Sequence, residues 1–205
     1  MITASVAVEG ASDVAAVEKI LASRSIALDS KNVFVKRGKG NLDKKLAGFN
    51  NAAARSPWFV LRDADHDEGG CAAALRESLL TTYDQQPRMC FRLAVRSLDA
   101  WLLADPESFA TTFSVAVSAI PVAVEDLADP KSSLVGVCRR SRKSAIRRAM
   151  VPPAGSKGRI GPEYVTFISE YARTAWRPDI AAANAPSLAR ALGEIDRLVS
   201  DGTWR

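Results

Sequence analysis

The residues with the clearest chemical potential follow a short apolar run. Trp58, Phe59, Val60 and Leu61 lead into Arg62, and then Asp63, Asp65, Asp67 and Glu68 crowd together before Gly69 and Gly70 break the segment. Carboxylates this close repel one another and resist burial. A divalent cation relieves that repulsion, because hard oxygen ligands suit Mg²⁺, Mn²⁺ or Ca²⁺. A lone D-x-D also occurs as a solvated acidic turn, so the surrounding elements must decide between the two. Further acids are spaced to join it. Glu9 follows the apolar run from Ile2 to Val8, Asp13 lies one helical turn later, and Asp99 lies just beyond the run from Met89 to Val95. Asp13 and Asp99 also suit the first turn of a helix, where the dipole favours an acid. His66, the only histidine, has no partner of metal-ligand type and reads as a turn residue.

The elements that must position these acids alternate. Ile2 to Val8 reads as a strand, with Ser12 as the N-cap of a helix whose apolar face is Val14, Val17 and Leu21. Val33 to Val35 is a second strand, and Leu42, Leu46 and Phe49 repeat at helical spacing after it. Trp58 to Leu61 is the third strand, Ala72, Leu75 and Leu79 mark the next helix, and Met89 to Val95 is the fourth strand. Leu98, Trp101 and Leu102 begin another helix. Such a β-α repeat implies an α/β fold: a parallel sheet of about four strands flanked by helices. The carboxyl ends of parallel strands share one edge, with neighbours about 4.8 Å apart. Glu9, Asp63, Asp65 and Asp99 would therefore meet there, where open α/β sheets bind their ligands.

Beyond Asp105-Pro106 the pattern changes. Residues 107–130 fit no simple period. Lys131 to Arg148 reads as a basic helix, Val151 to Arg159 as a loop, and Gly161-Pro162 as the opening of a helix carrying Tyr164, Phe167, Ile168 and Tyr171. Leu188, Leu192, Ile195 and Leu198 mark a last helix. The expected division is an α/β unit over residues 1–106 and an α-helical half over residues 107–205 packed on it.

Composition limits the function classes. A chain of 205 residues with 47% hydrophobic and 25% charged residues suits a globular protein. Its net charge of +5 leans toward anionic partners. Cys71, Cys90 and Cys138 form neither a zinc pattern nor a disulfide framework, which fits a reducing cytoplasm. The start lacks the basic flank and apolar core of a signal peptide. The most apolar long window, Phe109 to Val124, is broken by Pro121 and falls short of the ~20 residues a membrane span needs.

Basic residues fall in two places. Lys36, Arg37 and Lys39 follow the second strand in a Gly-rich loop on the same edge as the acids. Such a loop either meets phosphates or is simply solvated. It is not a Walker A loop, since G-x-x-x-x-G-K is absent. Between Lys131 and Arg177 eleven basic residues face only Glu163 and Glu170. Within that stretch Arg140, Lys143 and Arg147 would share one helical face, bordered by Arg148, as a nucleic-acid surface or as a soluble one. Trp176 and Trp204 suit base stacking or, more commonly, packing.

The segments Val8-Glu-Gly-Ala-Ser-Asp13 and Leu61-Arg-Asp-Ala-Asp65 resemble the two signatures of Toprim domains. Ser97-Leu-Asp-Ala-Trp-Leu-Leu-Ala-Asp105 further resembles a segment of a bacterial Toprim-like group of unknown function, with Asp99 where that group carries Glu. Asp129-Pro-Lys131 and Gly161-Pro-Glu-Tyr164 resemble the same group. The resemblance implies a Toprim-like, Rossmann-like domain. Glu9 would be the general acid or base, and Asp63 and Asp65 would hold Mg²⁺ or Mn²⁺. By similarity to the overcoming-lysogenization-defect nucleases, Asp13 and Asp99 would complete a two-metal site. Those relatives imply phosphodiester hydrolysis of DNA or RNA, in phage defence beside an ATPase partner. No tyrosine in a topoisomerase context is present. A non-catalytic Toprim-like subunit binding nucleic acid or an ATPase is the alternative, and a D-x-D nucleotide-sugar transferase fits less well because of Glu9.

Overall fold

The computed structural model describes residues 1–65 and 71–205; His66, Asp67, Glu68, Gly69 and Gly70 lie outside the described residues. The sequence-based turn at His66 and the last two acids of the opening run therefore receive no structural account. Four strands, β1 (Ile2–Val8), β2 (Ile26–Val35), β3 (Trp58–Asp63) and β4 (Met89–Ala94), form one sheet in the order β2-β1-β3-β4. Every pairing is parallel. The result is an α/β, Rossmann-like fold with a helical C-terminal half.

The strands form where apolar residues run without interruption. Ala4 to Val8 and Trp58 to Arg62 are buried throughout, as strands covered on both faces must be. β2 is longer than the sequence implied. It starts at Ile26, and its register with β1 jumps from Ala4↔Leu28 to Val6↔Val33. The extra residues are the polar run Asp29-Ser-Lys-Asn32, closed by Lys31 N and Asn32 Nδ2 donating to the Asp29 carboxylate at 3.0 and 2.7 Å. A bulge of polar residues hides the first half of the strand from any alternation rule.

Helices cover both faces. α1 (Ala11–Ser23) packs Ala15, Ala16, Val17, Ile20 and Leu21 against one face. Its N-cap is Gly10 rather than Ser12, whose hydroxyl instead donates to Asp13 Oδ1 at 3.1 Å. α2 (Lys39–Asp43), α3 (Leu46–Ala53) and α4 (Ala72–Leu80) cover the other face through Leu42, Leu46, Phe49 and Leu75. The single helix expected from Leu42, Leu46 and Phe49 is thus two short ones, joined through Lys44 and Lys45. There Phe34, Phe49 and Trp58 stack with centroids 5.2–5.8 Å apart.

The C-terminal half joins the α1 side of the core. α5 (Leu98–Leu103) and α6 (Pro106–Phe113) lead through two 3₁₀ turns to α7 (Pro130–Arg139), α8 (Ser144–Met150), α9 (Tyr164–Thr174), α10 (Pro178–Ala182) and α11 (Pro186–Ser200). α9 lies along α1. Asp105 and Asp129 each cap a helix by accepting the N–H of Ser108 and Ser132. The expected continuous basic helix does not exist. α7 ends at Arg139 and α8 starts at Ser144, so Arg140 and Lys143 are caps and share no helical face with Arg147. Ser141 is buried at the break and donates to Phe113 O. Trp176 and Trp204 are fully buried, donating to Trp101 O and Arg88 O, so neither is free to stack on a base. Among the described residues no single helix is long and apolar enough to cross a membrane.

Gly161 fixes how α9 is delivered to α1. Its N–H donates to Met150 O at 3.0 Å, and a methyl group there would collide with Ala149 O, Met150 C and Val151 N, all backbone atoms. Backbone cannot yield as a side chain does. Gly161→Ala is expected to cost about 3 kcal/mol, the upper end for an overpacked core site, and to lower Tm by roughly 6–12 °C in thermal unfolding.

Candidate functional site

The sheet order creates the site. β1 connects outward to β2 on one side, while β3 and β4 lie on the other, so the topological switch falls between β1 and β3. Ligands of open α/β sheets bind outside the carboxyl ends at such a switch. Glu9 and Asp63 stand on its two sides. The backbone holds them past the strands proper: Lys36 N and Arg37 N donate to Val8 O and Glu9 O at 2.9 and 2.7 Å. Ala64 N and Asp65 N donate to Ala94 O and Arg96 O at 2.9 and 2.8 Å. Asp65 and Arg96 both take positive φ, 49° and 59°, where the two chains turn away together.

Each acid is turned to a protein donor. Glu9 Oε1 crosses the switch to accept Asp63 N–H at 2.8 Å. Asp63 Oδ1 accepts Leu98 N–H at 2.9 Å, at the start of α5. Asp13 Oδ2 reaches back from α1 to Gly10 N–H at 2.7 Å. A β-carbon at Gly10 would sit 3.3 Å from the Asp13 carboxylate, so glycine gives this acid its room. Asp99, buried on α5, accepts the Tyr164 hydroxyl, and Lys131 Nζ lies 3.6 Å from its other oxygen.

Burial dominates the electrostatics. It pushes Glu9 up to about 7, helped by the charges of Asp65 and Asp13 and opposed by the Asp63 N–H and by Arg62. It pushes Asp13 up to about 6, with Asp99 adding repulsion. Asp63 is held well above the usual carboxylate range by burial and then by Asp13, Glu9 and Asp99. Four acids, on or beside four elements, thus feel one another. Lys131 answers them: its ammonium is raised first by Asp99 and further by Asp63 and Asp13. Arg62 is otherwise engaged, buried in a two-pronged pair with Asp43 at 2.8 and 3.1 Å that ties β3 to α2.

A cleft of about 530 Å³ opens over this edge, lined by Lys39, Asp63, Asp65, Arg96, Asp99, Asp129, Lys131 and Arg159. Of the basic residues named from the sequence after β2, Lys39 enters it and pairs with Asp65 at 3.0 Å. Lys36 lies over the Phe34 and Phe49 rings, 4.9 and 5.3 Å from their centroids, and Arg37 is exposed outside the cleft lining. Arg147 and Arg148 line a separate hollow with Arg139 and Pro152, and Arg147 donates to Ser141 O. Arg140 and Lys143 line neither. Lys131, which reaches Asp99, and Arg159, which lines the cleft paired with Asp129, were visible only as two members of a long basic run, and Arg96 carried no signal beyond its place after β4.

The donor set suits a hard divalent cation: all-oxygen, crowded, and holding protons tightly because burial, and then the neighbouring carboxylates, disfavour the charged forms. As placed, among the described residues no three acidic, His or Cys side chains gather into one coordination shell. Glu9, Asp13 and Asp99 would have to turn from their present donors to reach a common ion. No family model, curated protein or solved structure matches the chain.

The carboxylates make stability depend on pH. Glu9 and Asp13 hold protons more tightly folded, at about 7 and 6, than at their ordinary 4.5 and 3.8. Their contribution is therefore full below about pH 4 and is lost as pH rises through 6 to 7. In EDTA, Tm is expected to fall across that window, and to fall less in Asp13→Asn. Mg²⁺ is expected to raise Tm more at pH 7.5 than at pH 5, since protons and the ion compete for the same oxygens. A Tm flat from pH 5 to 7.5 in both proteins would show that these carboxylates are not held above their ordinary range.

Proposed function

We propose that the chain is a Toprim-like, metal-dependent phosphodiesterase acting on nucleic acid. One observation carries the reading: Asp63, Asp65 and Asp99 line a cleft at the switch point whose rim is cationic, and Glu9 stands beside it, bonded to Asp63 N–H at 2.8 Å. Acids alone would repel a phosphodiester. Acids that hold a divalent cation, ringed by Lys39, Arg96, Lys131 and Arg159, attract one.

Asp63 and Asp65 would hold the ion, with Asp13 and Asp99 as further ligands; when bound, Mg²⁺ or Mn²⁺ lowers the pKa of a coordinated water and neutralises phosphate charge. The protein's own groups do the rest. Glu9, with its pKa near neutrality, suits accepting a proton from water and returning it to the leaving oxygen. Lys131 lines the cleft beside Asp99, with its Nζ over the Tyr164 ring 6.0 Å from the centroid. That charge suits a phosphoryl oxygen. Arg96 and Arg159 offer planar donors to neighbouring oxygens. Tyr164, buried and held protonated by burial and Asp99, orients that carboxylate rather than titrating.

Two substitutions test the reading. Mg²⁺ or Mn²⁺ is expected to raise Tm by mass action, and Asp63→Asn with Asp65→Asn to abolish the rise. A double variant stabilised as much as the parent would place the ion elsewhere. Glu9→Gln is expected to lower the cleavage rate on plasmid, single-stranded DNA or tRNA by roughly 10²–10⁴ while leaving folding intact. Metal binding without turnover on any of the three would instead identify a binding module.

A further inference from the structure

A second cleft, of about 670 Å³, lies at the open edge of the sheet. β4 is the edge strand, and its alternate residues Met89, Phe91, Leu93 and Val95 turn their backbone groups outward. Side chains meet three of them: Gln85 donates to Met89 O at 2.6 Å, Arg76 Nε to Phe91 O at 3.3 Å, and Val95 N–H to Ser187 Oγ at 3.1 Å. Between these, Leu93 faces the cleft. Three guanidinium groups surround it: Arg76 from α4, Arg92 from β4 and Arg190 from α11.

Among the described residues the hydrogen-bond partners of these arginines are neutral. Arg76 Nη2 donates to Gln85 Oε1 at 2.8 Å, and Arg92 Nη2 to Arg190 O at 3.0 Å. Glu125, the one carboxylate among the described residues lining the cleft, is already bound to Ser187 N–H and Oγ at 2.8 and 2.6 Å. Glu194, whose field reaches Arg92, is held by Arg197 at 2.9 and 3.1 Å. Burial and the charges of Arg76 and Arg190 hold Arg92 below its usual range. Three like charges gathered around one cleft are stabilised by a bound anion.

The cleft adjoins the acidic site. Val95 lines it, and the next residue, Arg96, lines the acidic cleft. The geometry points to a phosphate-binding cleft at Arg76, Arg92 and Arg190 that holds a second phosphate of the strand whose linkage lies over Asp63, so the preferred substrate is an oligonucleotide rather than a mononucleotide. This rests on the phosphodiesterase reading for the strand, and on the cleft alone for the phosphate.

Cys71 supplies a local probe, because it lines the cleft and is exposed while Cys90 and Cys138 are buried. Iodoacetamide labelling of Cys71 is measured in EDTA with sodium pyrophosphate or a single-stranded 12-mer DNA. At ligand ten times its dissociation constant, labelling is expected to slow about tenfold, because only free protein reacts. Arg92→Gln with Arg190→Ala is expected to remove that protection, and to reduce the salt slope of 12-mer affinity by about 0.7 for the phosphate lost. Arg190→Glu, at an exposed position, serves if the double variant misfolds; Mg²⁺-induced Tm elevation reports that the acidic site is intact. Undiminished protection in the variants overturns the cleft while leaving the phosphodiesterase reading standing. Protection by pyrophosphate with no 12-mer binding or cleavage overturns the strand assignment and that reading together. Protection by poly-glutamate but by neither phosphate ligand overturns the proposal in favour of an acidic protein partner.

Discussion

The mutual repulsion of carboxylates at the end of the sheet is the constraint around which the chain is built. Glu9, Asp13, Asp63 and Asp99 come from β1, α1, β3 and α5, and parallel pairing brings them to one edge. Buried like charges are costly unless paired or hydrogen-bonded. The fold answers with backbone N–H groups at Gly10, Asp63 and Leu98, with the Tyr164 hydroxyl, and with one ammonium at Lys131. These donors soften the repulsion without removing it, since Glu9, Asp13 and Asp63 still hold their protons more tightly than free carboxylates. A site tuned only for stability would have replaced some of these acids by amides, which accept the same hydrogen bonds without the charge.

The helical half takes part in that balance. Tyr164 and Lys131 lie on α9 and α7, and both converge on Asp99. The break between α7 and α8 and the tight passage at Gly161 bring α9 alongside α1. The same half spends other charges on structure. Asp105 is fully buried with Arg177 held across both oxygens at 2.6 and 2.8 Å, a pair that fixes the start of α6 rather than serving the cleft.

Strand ends were the legible part of the sequence. The apolar runs at Ile2–Val8, Trp58–Leu61 and Met89–Val95 located three strands closely, and the acids after them followed from parallel geometry. β2 was half-hidden because the bulge at Asp29–Asn32 interrupts its apolar pattern. Side-chain destinations were less legible. Lys36, Arg37 and Lys39 read alike, yet tertiary packing sends Lys36 to an aromatic cluster and Lys39 to Asp65. Arg140, Lys143 and Arg147 share a face only if the helix is continuous, and the buried Ser141 breaks it there. Lys131 and Arg159 had no local mark, since their importance comes from what α7 and the following loop pack beside.

Net charge is therefore a poor guide to where this protein meets an anion. The long basic run between Lys131 and Arg177 gives the composition its positive lean, but most of it lies away from the acids. The positive charge beside them comes from scattered residues: Lys39 at the start of α2, Arg96 after β4, Lys131 at the start of α7, and Arg159 in a loop. Each reaches the cleft because a different element ends there. These cations are not idle: Lys39 pairs with Asp65, Lys131 with Asp99 and Arg159 with Asp129. A phosphate and a metal ion arriving together would take over both halves of such pairs, the phosphate the cations and the metal the acids, so each pair is a ready-made exchange rather than an empty place.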